Sequence, residues 1–469
     1  MSLAPPEPRA PEAASSGGGA PVASLPDPPG PGRRGAFLRI VRFGRNPLRA
    51  ILRLHQRWGD VAMTHIGKRR LYVLSHPDMV RDVLVTHNRN FIKSFALQRA
   101  RVLLGEGLLT SEGDFHLRQR RLSQPAFHRD RVAAMAGTMV RYAQDAAERW
   151  REGMEVDATR EMNRLTLAIA GMTLLGVDVE DEADEIGHAL TDALGLFDRL
   201  HNPLGPLLDR LPVPGTLRMR RARERLDATI YRAIAERRAS AADRDDLLGM
   251  LLAARDEEGD GGGMTDLQLR DELLTLFLAG HETTANALAW TWHLLALHPQ
   301  AEARLHDELR TVLAGRAPTA ADYGALPYTR AVLAESMRLH PPAWTVGRQP
   351  LQDFEAGGYR IRAGSIVLTS PWILHHDRRW WGDDVDAFRP ERWLAPDFEA
   401  SLPRFAYFPF GGGPRKCIGE GFAWMEGVLA LATLARRWRL RHVPGAAVAE
   451  KPGITLRAVG LRMRVERSA

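Results

Sequence analysis

One cysteine, Cys417, stands in 469 residues. A single thiol excludes an intramolecular disulfide and any site built from several cysteine ligands, such as a zinc ribbon or an iron–sulfur cluster. Long hydrophobic runs are also missing, and no stretch approaches the roughly 18 uncharged apolar residues of a membrane helix. The N-terminus lacks the continuous apolar core of a secretory signal, which points to the cytoplasm. Charge of one sign is scarce as well. The 64 Lys+Arg and 57 Asp+Glu leave a net +7, modest for this length. No zinc-finger or basic-zipper spacing accompanies it, so nucleic acid is not indicated, and an acidic protein partner accounts for the excess equally well.

Three familiar motifs begin and fail. His281-Glu282-Thr283-Thr284-Ala285 starts like a zinc-protease helix, but that helix needs a second His where Ala285 stands. Gly411-Gly412-Gly413-Pro414-Arg415-Lys416 resembles a phosphate loop, yet Arg415 and Cys417 flank the lysine where Gly and Ser/Thr are required. No Gly-x-Gly-x-x-Gly follows a strand-like run, so no dinucleotide-binding unit is visible. Any redox chemistry would draw its electrons from another protein.

What is present is a globular composition, 45% hydrophobic and 26% charged, with material for a large core. Residues 1–33 are rich in Pro, Ala and Gly and are expected to form a disordered tail. Residues 34–469 are expected to form a single domain. Val61–Ile66 and Leu71–Leu74 read as a hairpin, with further strands at 359–361 and 365–369. Between 77 and 340 the pattern is helical, with helices predicted over 133–152, 158–175, 182–200, 216–239, 265–298 and 328–339. The run from the Thr265 cap to His298-Pro299 is unusually long. At ~1.5 Å per residue it spans ~50 Å, enough to cross the molecule. The fold class is mainly α with a small β part.

Cys417 lies in Phe410-Gly411-Gly412-Gly413-Pro414-Arg415-Lys416-Cys417-Ile418-Gly419. Glycines let this backbone turn tightly and approach a flat ligand. Arg415, Lys416 and the start of a helix near 418 are expected to favour a thiolate. The decapeptide resembles the haem-binding signature of the cytochrome P450 monooxygenases at Phe410, Gly413, Arg415, Cys417 and Gly419. Three further motifs occur in the family's order. Glu335-Ser336-Met337-Arg338 matches Glu-x-x-Arg. Phe388-Arg389-Pro390-Glu391-Arg392-Trp393 resembles the Pro-Glu-Arg-Phe segment, with Trp393 in place of Phe. Ala279-Gly280-His281-Glu282-Thr283-Thr284 matches the oxygen-binding segment of the long helix.

The resemblance covers about residues 37–465 and implies the P450 fold, with the long central helix lying over a b-type haem. It makes Cys417 the axial iron ligand, and Phe410 and Arg415 neighbours of the haem. His116, Arg120 and Arg348 join Arg415 as partners of the haem propionates. Glu282 and Thr283 are assigned to proton delivery during O₂ activation, while Thr284 points about 100° away round the helix. Glu335, Arg338 and Arg392 form a buried structural charge network.

The implied substrate pocket combines Phe95, Leu97, Phe277, Ala279, Gly280, Trp344, Val346 and Ile454, an apolar lining suited to a terpene, fatty acid or other lipophilic molecule. The implied enzyme is a bacterial, soluble, monomeric monooxygenase. A separate ferredoxin or flavodoxin, with its NAD(P)H reductase, would supply electrons and dock near Arg118, Arg121, Lys416 and Arg436-Arg437-x-Arg439. Two other readings stay open: a haem enzyme of this fold acting without O₂, as an isomerase or dehydratase, and a non-enzymatic haem sensor.

Overall fold

A computed structural model of the chain describes residues 21–32, 43–178, 214–240, 246–259 and 261–468. It opens with α1 (Pro47–Trp58), β1 (Val61–Ile66), β2 (Arg69–Leu74) and β3 (Phe91–Lys93). A helical block follows: α2 (Gly113–Ser123), α3 (Arg129–Arg149), β4 (Glu155–Asp157), α4 (Ala158–Ala170), α5 (Pro214–Ala239), α6 (Leu247–Ala253), α7 (Asp266–Leu297), α8 (Pro299–Leu313) and α9 (Pro327–Leu339). Then come β5 (Val346–Pro350), β6 (Phe354–Ala356), β7 (Tyr359–Ile361), β8 (Ile366–Thr369) and α10 (Glu420–Ala435). Strands β9 (Trp438–His442), β10 (Ala449–Pro452), β11 (Leu456–Val459) and β12 (Arg462–Arg467) close the described chain.

The mainly helical expectation holds, and the predicted hairpin is β1–β2. The helix expected at 182–200 lies outside the described residues. The helix expected over 158–175 ends at Ala170 and gives way to the wider π-type turn Gly171–Leu175.

The long helix α7 organises the rest. Thr265 caps it through the Gln268 N–H (3.2 Å), and the Gln268 side chain returns to the Thr265 N–H (2.9 Å), a reciprocal capping box. The following Pro299 starts α8 and ends the run. A helix buried on all sides belongs at the centre of a molecule. Between Leu269 and Leu278 every residue of α7 is buried, including Arg270, Asp271 and Glu272. It packs against α4, α5, α9, α10 and β11. One apolar cluster joins α3, α4, α7, α8, α9 and α10. A second gathers Leu103, Leu104, Leu174, α5, α6 and Phe277.

The main sheet has the order β1-β2-β8-β5-β3, with β2 and β8 parallel and the other pairs antiparallel. Strand β4 pairs with β12, which pairs with β9, while β6–β7 and β10–β11 are hairpins.

The tail differs from its expectation of disorder through residue 33, because residues 21–32 are bonded to the folded chain, near β7 through Arg360 and Arg362 and at β1 through Met63. The Met63 N–H donates to the Pro29 carbonyl (2.9 Å), the Arg360 N–H to the Pro26 carbonyl (2.9 Å), and Arg362 grips Asp27 with two bonds (3.0 and 2.9 Å). Prolines have little backbone freedom to lose, so these few bonds suffice to hold the segment. Gly30 is required there, since a Cβ would overlap the Met63 carbonyl.

Candidate active site

The cysteine loop is shaped by its glycines. Gly411 and Gly413 hold φ of +70° and +68°, a region side chains rarely adopt, and a Cβ on Gly413 would overlap the Leu84 carbonyl. The Cys417 N–H donates to the Phe410 carbonyl (3.0 Å) and the Lys416 N–H to the Gly413 carbonyl (3.0 Å). Phe410 packs on Trp424 of α10 with ring centroids 5.8 Å apart. The Cys417 side chain lies deep among protein atoms and yet keeps accessible surface, so it faces an interior space.

The thiol's ionisation differs from the sequence expectation. Burial pushes Cys417 up to about 11, and the Gly419 N–H, Arg120 and Lys416 do not offset it. Arg415, counted among the groups favouring a thiolate, turns elsewhere. It pairs with Glu112 and donates to the Ser111 carbonyl (3.1 Å). A bonded metal cation is the group able to ionise such a thiol at neutral pH.

Beside the loop stands a surplus of positive charge. Arg348 is buried, its pKa lowered to about 10 by burial and by Arg415. His116 is buried on α2 and pushed down to about 3 by burial and then by Arg415, Lys93, Arg120 and Arg348, so it is neutral. Arg120, one turn on, donates to the Lys416 carbonyl (2.8 Å). Its pKa falls through burial and is drawn back by Cys417.

Lys93, at the end of β3, joins this group although its sequence context singled out nothing. It is buried, lowered to about 6 by burial and by Arg415, and donates to the carbonyls of Leu108 (2.5 Å) and Ser111 (2.9 Å). The only signal in the sequence was a lysine inside the apolar run Phe91-Ile92-Lys93-Ser94-Phe95. Glu112 is the acid that bears on Lys93, Arg348 and Arg415 alike. Two carboxylates, the number a haem carries, match the unbalanced donors. The donor set and the open thiol therefore fit a haem held by Cys417, with Lys93, His116, Arg120, Arg348 and Arg415 around its acid groups.

Midway along α7, just past Leu278, the enclosure opens. Ala279 is exposed and Gly280 and Thr283 are half-buried, between otherwise buried neighbours. No neighbouring atom approaches a Cβ built on Gly280 closer than Leu174 Cδ1 at 3.9 Å. The Thr283 hydroxyl donates to the Ala279 carbonyl (2.7 Å), the back-bond a helical threonine makes one turn earlier. The helix stays continuous through this turn. Glu282 is buried and accepts from Thr455 Oγ1 (2.8 Å), which in turn accepts from Asn286 (3.2 Å).

Thr284 has a role of its own, because it faces the buried Glu426 of α10. Burial pushes Glu426 up to about 8 and the Thr284 hydroxyl draws it partly back, so it is protonated at neutral pH. Glu426 was missed in the sequence, where it shows only as an acid inside the apolar helix that follows Cys417.

The pocket residues scatter more. Leu97, Phe277 and Ile454 pack into one cluster with Leu103, Leu104, Leu108 and Leu109. Phe95 is half-buried with the Arg69 guanidinium 4.1 Å from its ring centroid. Val346 packs against the main-sheet cluster. Trp344 is only 3% exposed, sits in the α1–β2 cluster and donates to the Gly453 carbonyl (2.9 Å), next to Ile454. The structure therefore places it behind the β10–β11 turn.

Five of the docking cations have partners within the chain. Arg121 grips Asp256 with two bonds of 3.0 Å, Arg118 reaches the same acid at 3.5 Å, and Lys416 pairs with Glu420 at 2.5 Å. Arg436 donates to the Gly315 carbonyl and Arg437 lies 3.7 Å from Glu148.

The structural network is assembled in full. Arg338 donates to both Glu335 oxygens (2.9 and 2.8 Å), Arg392 Nε to Glu335 (3.0 Å), and the Trp393 indole N–H to Glu335 (2.8 Å). Glu335 and Arg338 are wholly buried and Arg392 nearly so. The tryptophan that replaces the family's phenylalanine thus adds a donor.

Fold and site together define a mainly helical protein whose single cysteine faces an interior space beside a group of basic side chains. A family model described as "Cytochrome P450" matches residues 28–461. Cyclooctatin synthase of Streptomyces melanosporofaciens is 41% identical, over 90% of this chain and 91% of the relative. From the same organism, cyclooctat-9-en-7-ol 5-monooxygenase is 40% identical over 86% and 87% of the two chains. Pentalenene oxygenase of Streptomyces avermitilis is 39% identical over 83% and 86%. The chain belongs to the cytochrome P450 family. Among the described residues no helix is long and apolar enough to cross a membrane.

Proposed function

We propose that this chain is a haem-thiolate monooxygenase that places one oxygen atom of O₂ on a cyclic terpene skeleton. The observation that carries the reading is the juxtaposition of an accessible Cys417 with the buried and half-buried donors Lys93, His116, Arg120, Arg348 and Arg415. The likeness to pentalenene oxygenase and to cyclooctat-9-en-7-ol 5-monooxygenase directs the substrate class. The apolar cluster of Leu97, Phe277 and Ile454 suits a hydrocarbon, which asks for shape rather than charge.

The haem is of b type, as likeness to the family implies, with Cys417 as its ligand. Bound there, its iron supplies O₂ activation, and a thiolate ligand favours O–O cleavage. The chain's own residues do the rest. Lys93, Arg348 and Arg415 hold the acid groups. Gly280 leaves room beside α7. Thr283 keeps its hydroxyl on the open face, tethered to Ala279, where it can pass a proton inward. Glu282, held by Thr455, is the nearby acid. Electrons arrive from a separate ferredoxin or flavodoxin fed by NAD(P)H, and the reaction runs in the cytoplasm.

The test is reconstitution with a surrogate ferredoxin, its reductase and NAD(P)H. A panel of cyclic terpenes is screened first for a Soret shift and then for oxygenated products. Oxygenation of fatty acids alone would overturn the substrate class. Rearrangement of a hydroperoxide without NAD(P)H would favour chemistry independent of O₂. Haem binding without turnover of any substrate would favour a sensor.

A further inference from the structure

The segment 101–111 runs from a short helical turn, Arg101–Leu104, into the loop that leads to α2. Leu103, Leu104, Leu108 and Leu109 of this segment pack in the same cluster as Leu97, Phe277 and Ile454. Its inner side therefore packs on residues that the proposed function reads as the lining of the substrate pocket. Its backbone is held by three consecutive residues of α7. Arg270 donates to the Leu103 carbonyl (3.1 Å), Asp271 accepts from the Glu106 N–H (2.8 Å), and Glu272 accepts from the Leu108 N–H (3.0 Å).

The seat is as specific on the loop side. A Cβ on Gly105 would overlap the Asp271 carboxylate, and a Cβ on Gly107 would stand 2.5 Å from the Asp271 carbonyl. Only a bare backbone can lie this close. Charges at the centre of a protein need strong reasons to be there, and these three side chains are buried in full view of no solvent-borne partner. Arg270 also reaches Asp227 of α5 (2.7 Å), so the helix above is tied to the same point. Burial lifts Glu272 to about 7, with the Leu108 N–H and the Gln119 amide drawing it back.

The placement along α7 gives the seat a consequence. Asp271 and Thr275, on which Gly105 and Gly107 rest, begin a ridge of four-residue steps. The next steps of that ridge are Ala279 and Thr283, the open face of the site. The loop is thus registered against the same ridge that carries the chemistry.

We propose that Arg270, Asp271 and Glu272 form a positioning latch that fixes segment 101–111 over the open ridge of α7 and so determines which ligands the pocket retains. None of the three is a catalytic residue. The inference rests on the reading of this apolar cluster as the lining of the substrate pocket. Loosening the latch lowers the fraction of molecules whose wall is in place. A ligand that fills the pocket then binds more weakly by that fraction, while one too small to reach the wall does not notice.

The experiment compares the full-length haem-loaded protein with Asp271→Ala, Gly107→Ala and Glu272→Gln. Imidazole and 4-phenylimidazole are titrated by the Soret band, and amide hydrogen exchange is followed across the chain. Asp271→Ala and Gly107→Ala should speed exchange within 101–111 while α9 and α10 stay protected. They should weaken 4-phenylimidazole about tenfold and leave imidazole within about twofold. Glu272→Gln keeps one acceptor oxygen of two and should fall between the parent and Asp271→Ala.

Unchanged exchange at 101–111, or equal loss for both azoles, would overturn the latch. If Asp271→Ala fails to fold, Gly107→Ala loads the same seat from the loop side and decides alone. If imidazole leaves the Soret band of the parent unmoved, the haem reading fails, and the exchange data still judge the latch by themselves.

Discussion

Removing Arg338 should unfold the region that holds the cysteine loop. Its guanidinium has five N–H donors, and all five are engaged: two on Glu335, and the others on the carbonyls of His375 (2.9 Å), Val385 (2.7 Å) and Ala387 (3.0 Å). Both partners of the ion pair are 0% exposed. Arg338→Ala leaves three carbonyls without a donor and Glu335 with only Arg392, Trp393 and the Arg389 N–H to hold its charge. Breaking one side of such a pair costs ~3–5 kcal/mol, against a total stability on the order of 5–15 kcal/mol.

Arg338→Lys offers three donors for five acceptors and, with each orphaned buried acceptor worth ~1–3 kcal/mol, should fall between parent and alanine. The assay is urea unfolding followed by the Soret band, with haem content measured after purification. The double variant Glu335→Ala with Arg338→Ala should lose less than the sum of the two single variants. Haem-replete Arg338→Ala with an unchanged unfolding midpoint would refute the reasoning, since it would mean that these bonds are replaced by water at no loss.

Cys417→Ser should abolish the long-wavelength Soret band of the ferrous carbon monoxide complex from which the family takes its name, and an unaltered band would remove Cys417 as the ligand. Thr283→Ala should lower product formed per NAD(P)H and raise hydrogen peroxide, with Thr283→Ser close to the parent. General proton-transfer assistance is worth roughly 10²–10⁴-fold, so unchanged coupling in the alanine variant would exclude the hydroxyl. Glu426 gives a pH test. Its folded pKa is raised from 4.5 to about 8, so the unfolded chain loses that proton first and stability falls as pH rises between those values, by up to ~1.4 kcal/mol per pH unit. Glu426→Gln should flatten this decline in thermal unfolding, and parallel curves would show that the carboxyl ionises normally.

What the sequence made legible was local. The Thr265 cap, the glycines before Cys417 and the Glu335/Arg338 spacing each act within a turn or two of chain, so residue type and period expose them. Long-range partners were hidden. Asp256 approaches Arg121 from 135 positions away, an intramolecular partner for Arg118 and Arg121 that the sequence did not show. The indole N–H of Trp393 reads in sequence as an aromatic swap, and only the fold shows that it donates to Glu335. Thr284 looked like a silent neighbour of Thr283 until α10 brought Glu426 against it. The thiol of Cys417 was judged from its charged neighbours, whereas its burial, a property of the whole fold, outweighs them.

The strap formed by residues 21–32 bears on how this chain tolerates trimming. Strand β1 is the outer strand of the main sheet, and the Pro29 carbonyl occupies one of its outward N–H groups. The family match begins at residue 28, so trimming to that boundary would delete Asp27 and Pro26 and leave Arg360 and Arg362 without those partners. With the strap unfastened, β1 would present a bare row of donors and acceptors, the usual template on which a second molecule adds a strand. A start before residue 21 keeps the Pro29 bond to β1, and shortening past 32 would open that edge to a second molecule.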